Sequence, residues 1–142
     1  MSGPCSCRRV SVDAILMLRS AVLRPGLPEE AAHFVGDDAP ETGHFAAFLA
    51  ERNVACLSLM SSLWQDRVAW QLRGMAVQAD RQGQGLGGQL LEFALRESEP
   101  RPVWCNARSA AIPFYQRYGF ALVSEVFEVK GVGPHQQMLL HL

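Results

Sequence analysis

The chain has no excess of charge of either sign. Its 142 residues carry 13 lysine and arginine side chains against 14 aspartate and glutamate side chains, so the formal net charge is −1 at pH 7. Proteins that bind nucleic acid through phosphate contacts usually present a basic patch and a basic overall balance. The composition therefore argues against a DNA- or RNA-binding function.

The chain also lacks a long apolar run. No segment approaches the roughly 18 consecutive apolar residues that a membrane-spanning helix needs. Arg8 and Arg9 precede an apolar stretch, but Asp13 and Arg19 interrupt it, so we interpret this region as a strand and a helix instead of a signal peptide. We expect no membrane partner and a cytoplasmic location.

The four cysteines lack the spacing of a metal site. Cys5 and Cys7 form a Cys-x-Cys pair with no second pair elsewhere in the chain, which is not a zinc pattern. We therefore expect no bound metal and reduced thiols. Cys105 could act as a nucleophile, but a cysteine in a predicted strand is more often a small core residue.

Internal repeats, low-complexity tracts and linkers are absent too, so 142 residues are expected to form a single domain, residues 1–142. Apolar periodicity and turn residues predict alternating strands and helices, with Asp13 as the N-cap of a first helix whose apolar face carries Ile15, Leu18, Ala21 and Val22. The segment 24–43 is a long loop, which favours a functional surface. The predicted strands cover residues 8–12, 44–50, 54–61, 69–77, 103–106, 120–129 and 136–142, and the predicted helices cover residues 14–22, 86–97 and 113–118.

A glycine-rich segment is the most informative feature that is present. The run RQGQGLGGQLL begins at Arg81 and has four glycines within six positions, between an apolar strand-like segment and a helical apolar pattern. Glycine lets backbone N–H groups converge on a ligand, and a helix N-terminus adds unpaired donors and a positive dipole end. The segment therefore predicts a phosphate-binding loop.

Two nucleotide-related families fit this loop. Gly83, Gly85 and Gly88 satisfy the dinucleotide fingerprint G-x-G-x-x-G, but the next predicted strand ends at Asn106 where that fold needs an acidic residue. The spacing Gln82-x-x-Gly85-x-Gly87 resembles instead the pyrophosphate loop of the GNAT superfamily of N-acetyltransferases.

The C-terminal half strengthens that resemblance. The segment from Ala111 to Phe120 is similar to the GNAT segment in which a short helix carrying Phe-Tyr ends at Gly-Phe. Pro113 suits a first helical turn and Gly119 suits a left-handed helix end. The preceding Trp104-Cys-Asn-Ala-Arg108 resembles the strand and Asn-Ala-Arg turn of the family.

The resemblance implies an α/β fold of GNAT type. Its sheet is mixed and mostly antiparallel, helices cover both faces, and the two central strands splay apart around acetyl-coenzyme A. It also implies that the loop 24–43 shapes the acceptor site. The residues implied in coenzyme A binding are Met75, Ala76, Val77, Gln82, Gly83, Gln84, Gly85, Leu86, Gly87, Gly88, Asn106, Phe114 and Tyr115.

Roles within that set differ. The backbone of residues 75–77 is expected to pair with the pantetheine arm, and the amide of Val77 to polarise the thioester carbonyl. Asn106 either hydrogen-bonds the pantetheine or Tyr115, or simply caps the next segment. The resemblance assigns Tyr115 as general acid toward the departing thiolate, whereas Tyr118, three residues on, is the alternative or a core residue.

The general base is not given by the motifs. Gln71 stands where well-known family members have a glutamate, and a glutamine cannot take a proton. His135, expected in a loop after Gly133-Pro134, is our candidate because imidazole accepts a proton near neutral pH. Glu125, Glu128, a water that they polarise and His44 are alternatives, as is a purely structural histidine.

Three functions follow from these patterns. The leading hypothesis is transfer of an acetyl group from acetyl-coenzyme A to a primary amine of a small molecule or peptide by direct attack. A non-catalytic coenzyme A or acyl-coenzyme A binding module is the alternative, and a nicotinamide dehydrogenase is disfavoured because the ribose acid is missing. Acidic residues in the two flanking segments would attract a cationic amine: Asp37, Asp38, Glu125 and Glu128. A monomer and a homodimer are both compatible with the sequence.

Overall fold

The computed structural model describes residues 5–141 of the chain. Within that range the backbone forms eight strands and three helices, connected by four short 3₁₀ turns. The strands are β1 (Ser6–Val10), β2 (Gly43–Leu49), β3 (Arg52–Trp64), β4 (Arg67–Val77), β5 (Val103–Arg108), β6 (Ala121–Leu122), β7 (Phe127–Val129) and β8 (Gly133–Leu140), and the helices are α1 (Leu16–Leu23), α2 (Leu86–Glu97) and α3 (Ile112–Arg117).

All eight strands that the described residues form belong to one sheet. Its order is β1-β2-β3-β4-β5-β8-β6, with β7 paired to β8. The pairs β1–β2, β2–β3, β5–β8, β6–β8 and β7–β8 are antiparallel, whereas β4 and β5 are parallel. The predicted mixed, mostly antiparallel α/β fold is confirmed.

The backbone contacts divide the described chain into two compact units. The first contains residues 5–60 and 73–99, and the second contains residues 61–72 and 100–141. The single-domain organisation stays a prediction.

In the first unit, α1 and α2 cover opposite faces of β2. The ring of Phe45 packs edge-on against Phe93 of α2, with 6.2 Å between ring centroids. The neighbouring Ala46 joins a buried cluster with Ile15 and Leu18 of α1. Because successive strand residues point to opposite sides, the two helices lie on the two faces of this strand.

In the second unit, β5 pairs with β8 over its whole length, from Val103 opposite Leu140 to Arg108 opposite His135. The start of β5 also pairs with β4, where Trp70 lies opposite Val103 and Gln71 opposite Trp104. The pairing with β8 explains one wrong prediction. The Asn-Ala-Arg segment 106–108 is strand and not a turn, because the ladder with β8 continues to its end.

The glycine and proline residues of the sequence correctly predicted where α2 begins and near which residues α3 begins and ends. Helix α2 has the predicted bounds, Pro113 lies in the first turn of α3, and Gly119, with a φ of +93°, follows the C-cap Tyr118 of that helix. The segment 24–43, predicted as a long loop, contains a 3₁₀ turn over Glu29–Ala32.

Other boundaries were wrong. Asp13 lies inside a 3₁₀ turn and does not cap α1, which begins after Ile15, and Ala21 is exposed instead of lying on the buried face. The predicted strand 120–129 is two short strands. It is interrupted at Ser124, whose hydroxyl accepts a hydrogen bond from the backbone N–H of Gln137 at 2.8 Å.

No helix among residues 5–141 is both long enough and apolar enough to cross a bilayer.

Candidate active site

The glycine loop connects the end of β4 to the start of α2 in the first unit. After Val77 the chain makes a 3₁₀ turn over Ala79–Arg81, and Gly83 and Gly85 then adopt left-handed φ values of +80° and +81°. A Cβ added at either glycine would meet no atom within 4 Å. The loop backbone is therefore open to solvent at both positions.

The loop meets the geometric requirement for an anion site. Gly85 is the N-cap of α2, and its carbonyl accepts the first helical bond, from the N–H of Gln89 at 3.1 Å. The amides of Leu86, Gly87 and Gly88 precede that bond and have no partner one turn earlier in a helix that begins at Leu86. These donors, the helix dipole and the open glycines can bind a phosphate-type anion.

Gln82 has a further role within the loop. Its side-chain Nε2 donates a hydrogen bond to the carbonyl oxygen of Val77 at 3.1 Å. The contact ties the loop to the last residue of β4. Gln82 and Gln84 are themselves exposed, as are Gly83 and Gly85, so this segment can be reached by a ligand.

The segment of β4 before the loop is irregular at Gly74. This residue has a φ of +64°, and an added Cβ would lie 2.7 Å from Nε of Arg19. Ala76 is buried in the core cluster with α1, whereas Met75 and Val77 are half-buried. The side chains of residues 75–77 are thus packed, in line with the expectation that only their backbone serves a ligand.

Tyr115 is a buried phenol in the second unit. Its ring lies in an aromatic cluster, 5.2 Å from the ring of Phe114 and 5.2 Å from that of Phe120. Burial raises the pKa of Tyr115 well above its usual range, and the nearby Cys105 raises it further. The hydroxyl therefore stays protonated at neutral pH, as a proton donor must.

The neighbours of Tyr115 are less enclosed. Phe114 and Tyr118 are half-buried, with 5.1 Å between their ring centroids, and Asn106 is exposed on β5 opposite Gln137. Asn106 lies inside a strand, so the interpretation of it as a turn cap is wrong.

His135 was predicted in a loop, but it is buried in β8 opposite Arg108 and Phe127. Its Nδ1 lies 2.9 Å from the carbonyl oxygen of Gly133. A carbonyl accepts only, so Nδ1 carries the proton in this contact, and Nε2 is the nitrogen that can accept one. Glu125 and Glu128 are exposed.

His44, the second candidate base, has both ring nitrogens engaged. Nε2 donates to the carbonyl oxygen of Asp37 at 2.9 Å, and Nδ1 lies 2.6 Å from Oγ of Ser58. Ser58 also accepts a hydrogen bond from Arg19 at 2.8 Å. The ring has no nitrogen left for an acceptor amine, so its role is structural.

Asp37 was expected to attract a cationic amine, and the structure corrects this. Its carboxylate is buried against Arg19, with 2.6 Å between Oδ2 and Nη1, and Oδ2 also accepts the N–H of Phe34 at 2.6 Å. Asp38 is exposed and lies 3.3 Å from Nε2 of His33. The carboxylate of Asp37 is therefore occupied by Arg19 and by the N–H of Phe34, and it is not available to an acceptor amine.

This buried network was missed in the sequence, although one signal pointed to it. Arg19 lies one helical turn after Ile15 and next to Leu18, on the buried face of α1. A charged residue at such a position needs a partner, because an unpaired buried charge is costly. The partner itself, 18 residues away in a loop, could not have been located from periodicity.

The cysteines behave as core or surface thiols. All four are free, and burial raises the pKa of Cys105 and of Cys56 to about 12. Such thiols remain protonated at neutral pH and are poor nucleophiles. The interpretation of Cys105 as a small core residue is the one the structure favours.

Comparison with known proteins identifies the family. The model of the acetyltransferase (GNAT) domain matches residues 28–142. The chain belongs to the GNAT acetyltransferase family. An uncharacterized N-acetyltransferase of Bacillus subtilis (strain 168), YitI, is 31% identical over 134 residues, which is 90% of each chain.

Solved GNAT structures share the fold. An acyl-CoA N-acyltransferase from Pseudomonas aeruginosa superposes with a TM-score of 0.76 at 26% identity, covering 96% of this chain and 98% of that one. ElaA of Escherichia coli superposes with a TM-score of 0.79 at 25% identity, over 97% and 100% of the two chains. As a GNAT protein, the chain is an acyltransferase that depends on acetyl-coenzyme A.

Proposed function

We propose that the protein transfers an acetyl group from acetyl-coenzyme A to a primary amine of a small molecule or peptide, by direct attack of the amine in a ternary complex. The observation that carries the proposal is the open glycine loop at the N-terminus of α2, in a chain of the GNAT family. The description of YitI as an N-acetyltransferase supports nitrogen as the acceptor atom.

The chain would hold the donor mainly through backbone groups. The amides of residues 83–88, with Gln82 and Gln84 beside them, would bind the diphosphate, and the backbone of residues 75–77 would pair with the pantetheine arm. Asn106, Phe114 and Tyr115 complete the proposed binding set. Acetyl-coenzyme A supplies the acetyl group as an activated thioester.

Tyr115 is the proposed general acid. Burial raises its pKa, so the phenol is protonated at neutral pH and its O–H would donate toward the sulfur of the departing thiolate. Phe114 and Phe120 pack against its ring and restrict its orientation. A proton donor whose position is fixed loses little entropy in the transition state.

His135 is the proposed general base. The hydrogen bond from Nδ1 to the carbonyl of Gly133 fixes the ring, and Nε2 would take the proton that the substrate ammonium loses before the neutral amine attacks the thioester. The replacement of the usual glutamate by Gln71 leaves this function to another residue, and the ring of His44 is already fully bonded.

The test is release of free thiol from acetyl-coenzyme A across a panel of primary amines, run beside a melting experiment with coenzyme A. We expect thiol release with at least one amine and a raised melting temperature, because a ligand of the native state stabilises it. A raised melting temperature with no thiol release from any acceptor would select the binding module. Thiol release with hydroxyl acceptors alone would contradict the proposal that the acceptor is an amine. If coenzyme A neither raises the melting temperature nor supports thiol release, both the transferase and the binding module are excluded.

A further inference from the structure

Three guanidinium groups surround the half-buried ring of Phe34 in the first unit. The central carbon of Arg19 lies 4.3 Å from the ring centroid, that of Arg73 4.8 Å and that of Arg24 5.3 Å. We call Arg24, Phe34 and Arg73 the basic cluster. Each of its arginines reaches the ring from a different element, since Arg24 follows α1 and Arg73 lies in β4.

The charge in this region is not balanced. The carboxylate of Asp37 is engaged by Arg19, whose Nη1 and Nη2 donate to its two oxygens at 2.6 and 3.3 Å. Neither Arg24 nor Arg73 forms an ion pair with any residue in the range 5–141. Arg24 and Arg73 therefore have no direct ion-pair partner among the described residues, and the charge of Asp37 acts on Arg73 only from beyond ion-pair distance.

The two remaining arginines are accessible and partly fixed. Both are half-buried, and stacking on Phe34 limits their rotamers. Arg24 also donates to the carbonyl of Leu23 at 2.9 Å. Burial lowers the pKa of Arg73; the charge of Asp37 opposes this effect, and the charges of Arg19 and Arg24 add to it. An anion at this position would relieve the repulsion. A guanidinium fork held on an aromatic ring is well suited to a carboxylate.

The basic cluster adjoins the proposed thioester site along the chain. Arg73 directly precedes Gly74, and the proposed function places the thioester at the backbone of residues 75–77. A strand advances about 3.3 Å per residue, so about 13 Å separates the backbone of Arg73 from that of Val77. An arginine side chain and a small amino acid together span that length.

We propose that the acceptor amine also carries a carboxylate, and that Arg73, with Arg24, binds this carboxylate. This inference rests on the proposed function, since it names the substrate class of the same site. It removes Asp37 from the acidic residues expected to attract the amine, because the carboxylate of Asp37 is engaged by Arg19.

The experiment compares matched amines. Glycine, 4-aminobutanoate and phenylalanine are each assayed for thiol release beside the corresponding carboxamide, with the native protein, Arg73→Gln, Arg73→Lys and Arg8→Gln. Arg8 is the matched control because its guanidinium also stacks on a phenylalanine, 3.9 Å from the ring centroid of Phe48. The comparison between variants cancels differences in basicity between each acid and its amide.

We expect the best carboxylate to exceed its carboxamide by about 10-fold or more in kcat/KM. Arg73→Gln should remove that preference mainly by raising KM, Arg73→Lys should restore part of it, and Arg8→Gln should leave it unchanged. The inference is overturned if the carboxamides are equally good substrates, or if Arg73→Gln affects acid and amide alike.

A second readout separates this inference from the proposed function. The same compounds are titrated into the coenzyme A complex by calorimetry. If no amine releases thiol, the transfer activity fails, yet binding that favours the carboxylates and is lost in Arg73→Gln would still support the basic cluster as their site. Binding that does not distinguish acids from amides, or no binding of either, would overturn it.

Discussion

Arg19 and Asp37 form an ion pair inside the first unit, with 2.6 Å between Nη1 and Oδ2 and with both side chains fully buried. The pair links α1 to the loop 24–43, and Arg19 also donates to the carbonyl of Ala32 at 2.8 Å. Arg19, together with His44, which donates to the carbonyl of Asp37, thus holds the backbone of this long loop from within the protein. These contacts give the loop a defined conformation, as a functional surface needs and a simple connection between elements does not.

The ion pair predicts a pH-dependent stability. Burial raises the pKa of Asp37, but the hydrogen bonds from Arg19 and from the amide of Phe34, with the charges of Arg19 and His44, lower it to a net value below the usual range. A carboxyl with a lowered folded-state pKa contributes stability that is fully present above its unfolded value of about 3.9. That stability is lost as the pH falls through the folded-state value.

Asp37→Asn should therefore lower the free energy of unfolding by about 3–5 kcal/mol at pH 7, because Arg19 stays buried without a counter-charge. The difference from the native protein should shrink as the pH falls below about 4. Urea unfolding between pH 3 and pH 7 measures both. Asp38→Asn is the control, since Asp38 is exposed, and should change stability by no more than about 0.5 kcal/mol. Equal losses in the two variants would contradict the prediction.

The elements that the sequence predicted well are those specified by neighbouring residues. Helix α2 is bounded by Gly85 at its start and has a continuous apolar face, and α3 has Pro113 in its first turn and ends shortly before Gly119. Each of these signals acts within one or two turns of chain. Local steric and hydrogen-bonding preferences therefore fixed the bounds without help from the rest of the fold.

The features that the sequence did not reveal depend on distant partners. The strand character of Asn106 and of His135 comes from the β5–β8 ladder, in which the paired residues are about 30 positions apart. The engagement of Asp37 by Arg19 and the grouping of three arginines around Phe34 likewise need the tertiary structure. A charge on the buried face of α1 was visible in the sequence, but its partner was not.

The glycine loop predicts a specific loss of ligand binding. Valine at Gly85 would force a branched side chain into a left-handed φ of +81°, and its methyl groups would occupy the open space in front of α2. We expect Gly85→Val to abolish the rise in melting temperature that coenzyme A produces in the native protein. Gly131→Val is the matched control, because Gly131 has a φ of +78° and equally open surroundings outside the loop. A folded Gly85→Val protein with unchanged affinity would remove the loop from the binding site.

The phenol of Tyr115 predicts a separation of turnover from binding. Tyr115→Phe removes one proton donor and little packing, since the ring would still contact Phe114 and Phe120. We expect kcat to fall by about 10²- to 10³-fold while the affinity for coenzyme A changes little. Steady-state kinetics and calorimetry measure the two quantities. Tyr118→Phe is the control on the same segment; equal losses in the two variants, or a loss in Tyr118→Phe alone, would mean that the motif is misaligned by one turn.

The buried imidazole of His135 predicts the pH dependence of the rate. A primary ammonium has a pKa near 10 and must lose a proton before it attacks, so kcat/KM should rise between about pH 6 and pH 8.5. Because Nδ1 donates to the carbonyl of Gly133, Nε2 is the group whose removal should matter. His135→Gln should flatten the lower limb of the profile, whereas His33→Gln, at an exposed histidine paired with Asp38, should keep it. If His135→Gln keeps the pH–rate profile of the native protein, the histidine has a structural role. The general base would then be a water or a carboxylate such as that of Glu125 or Glu128.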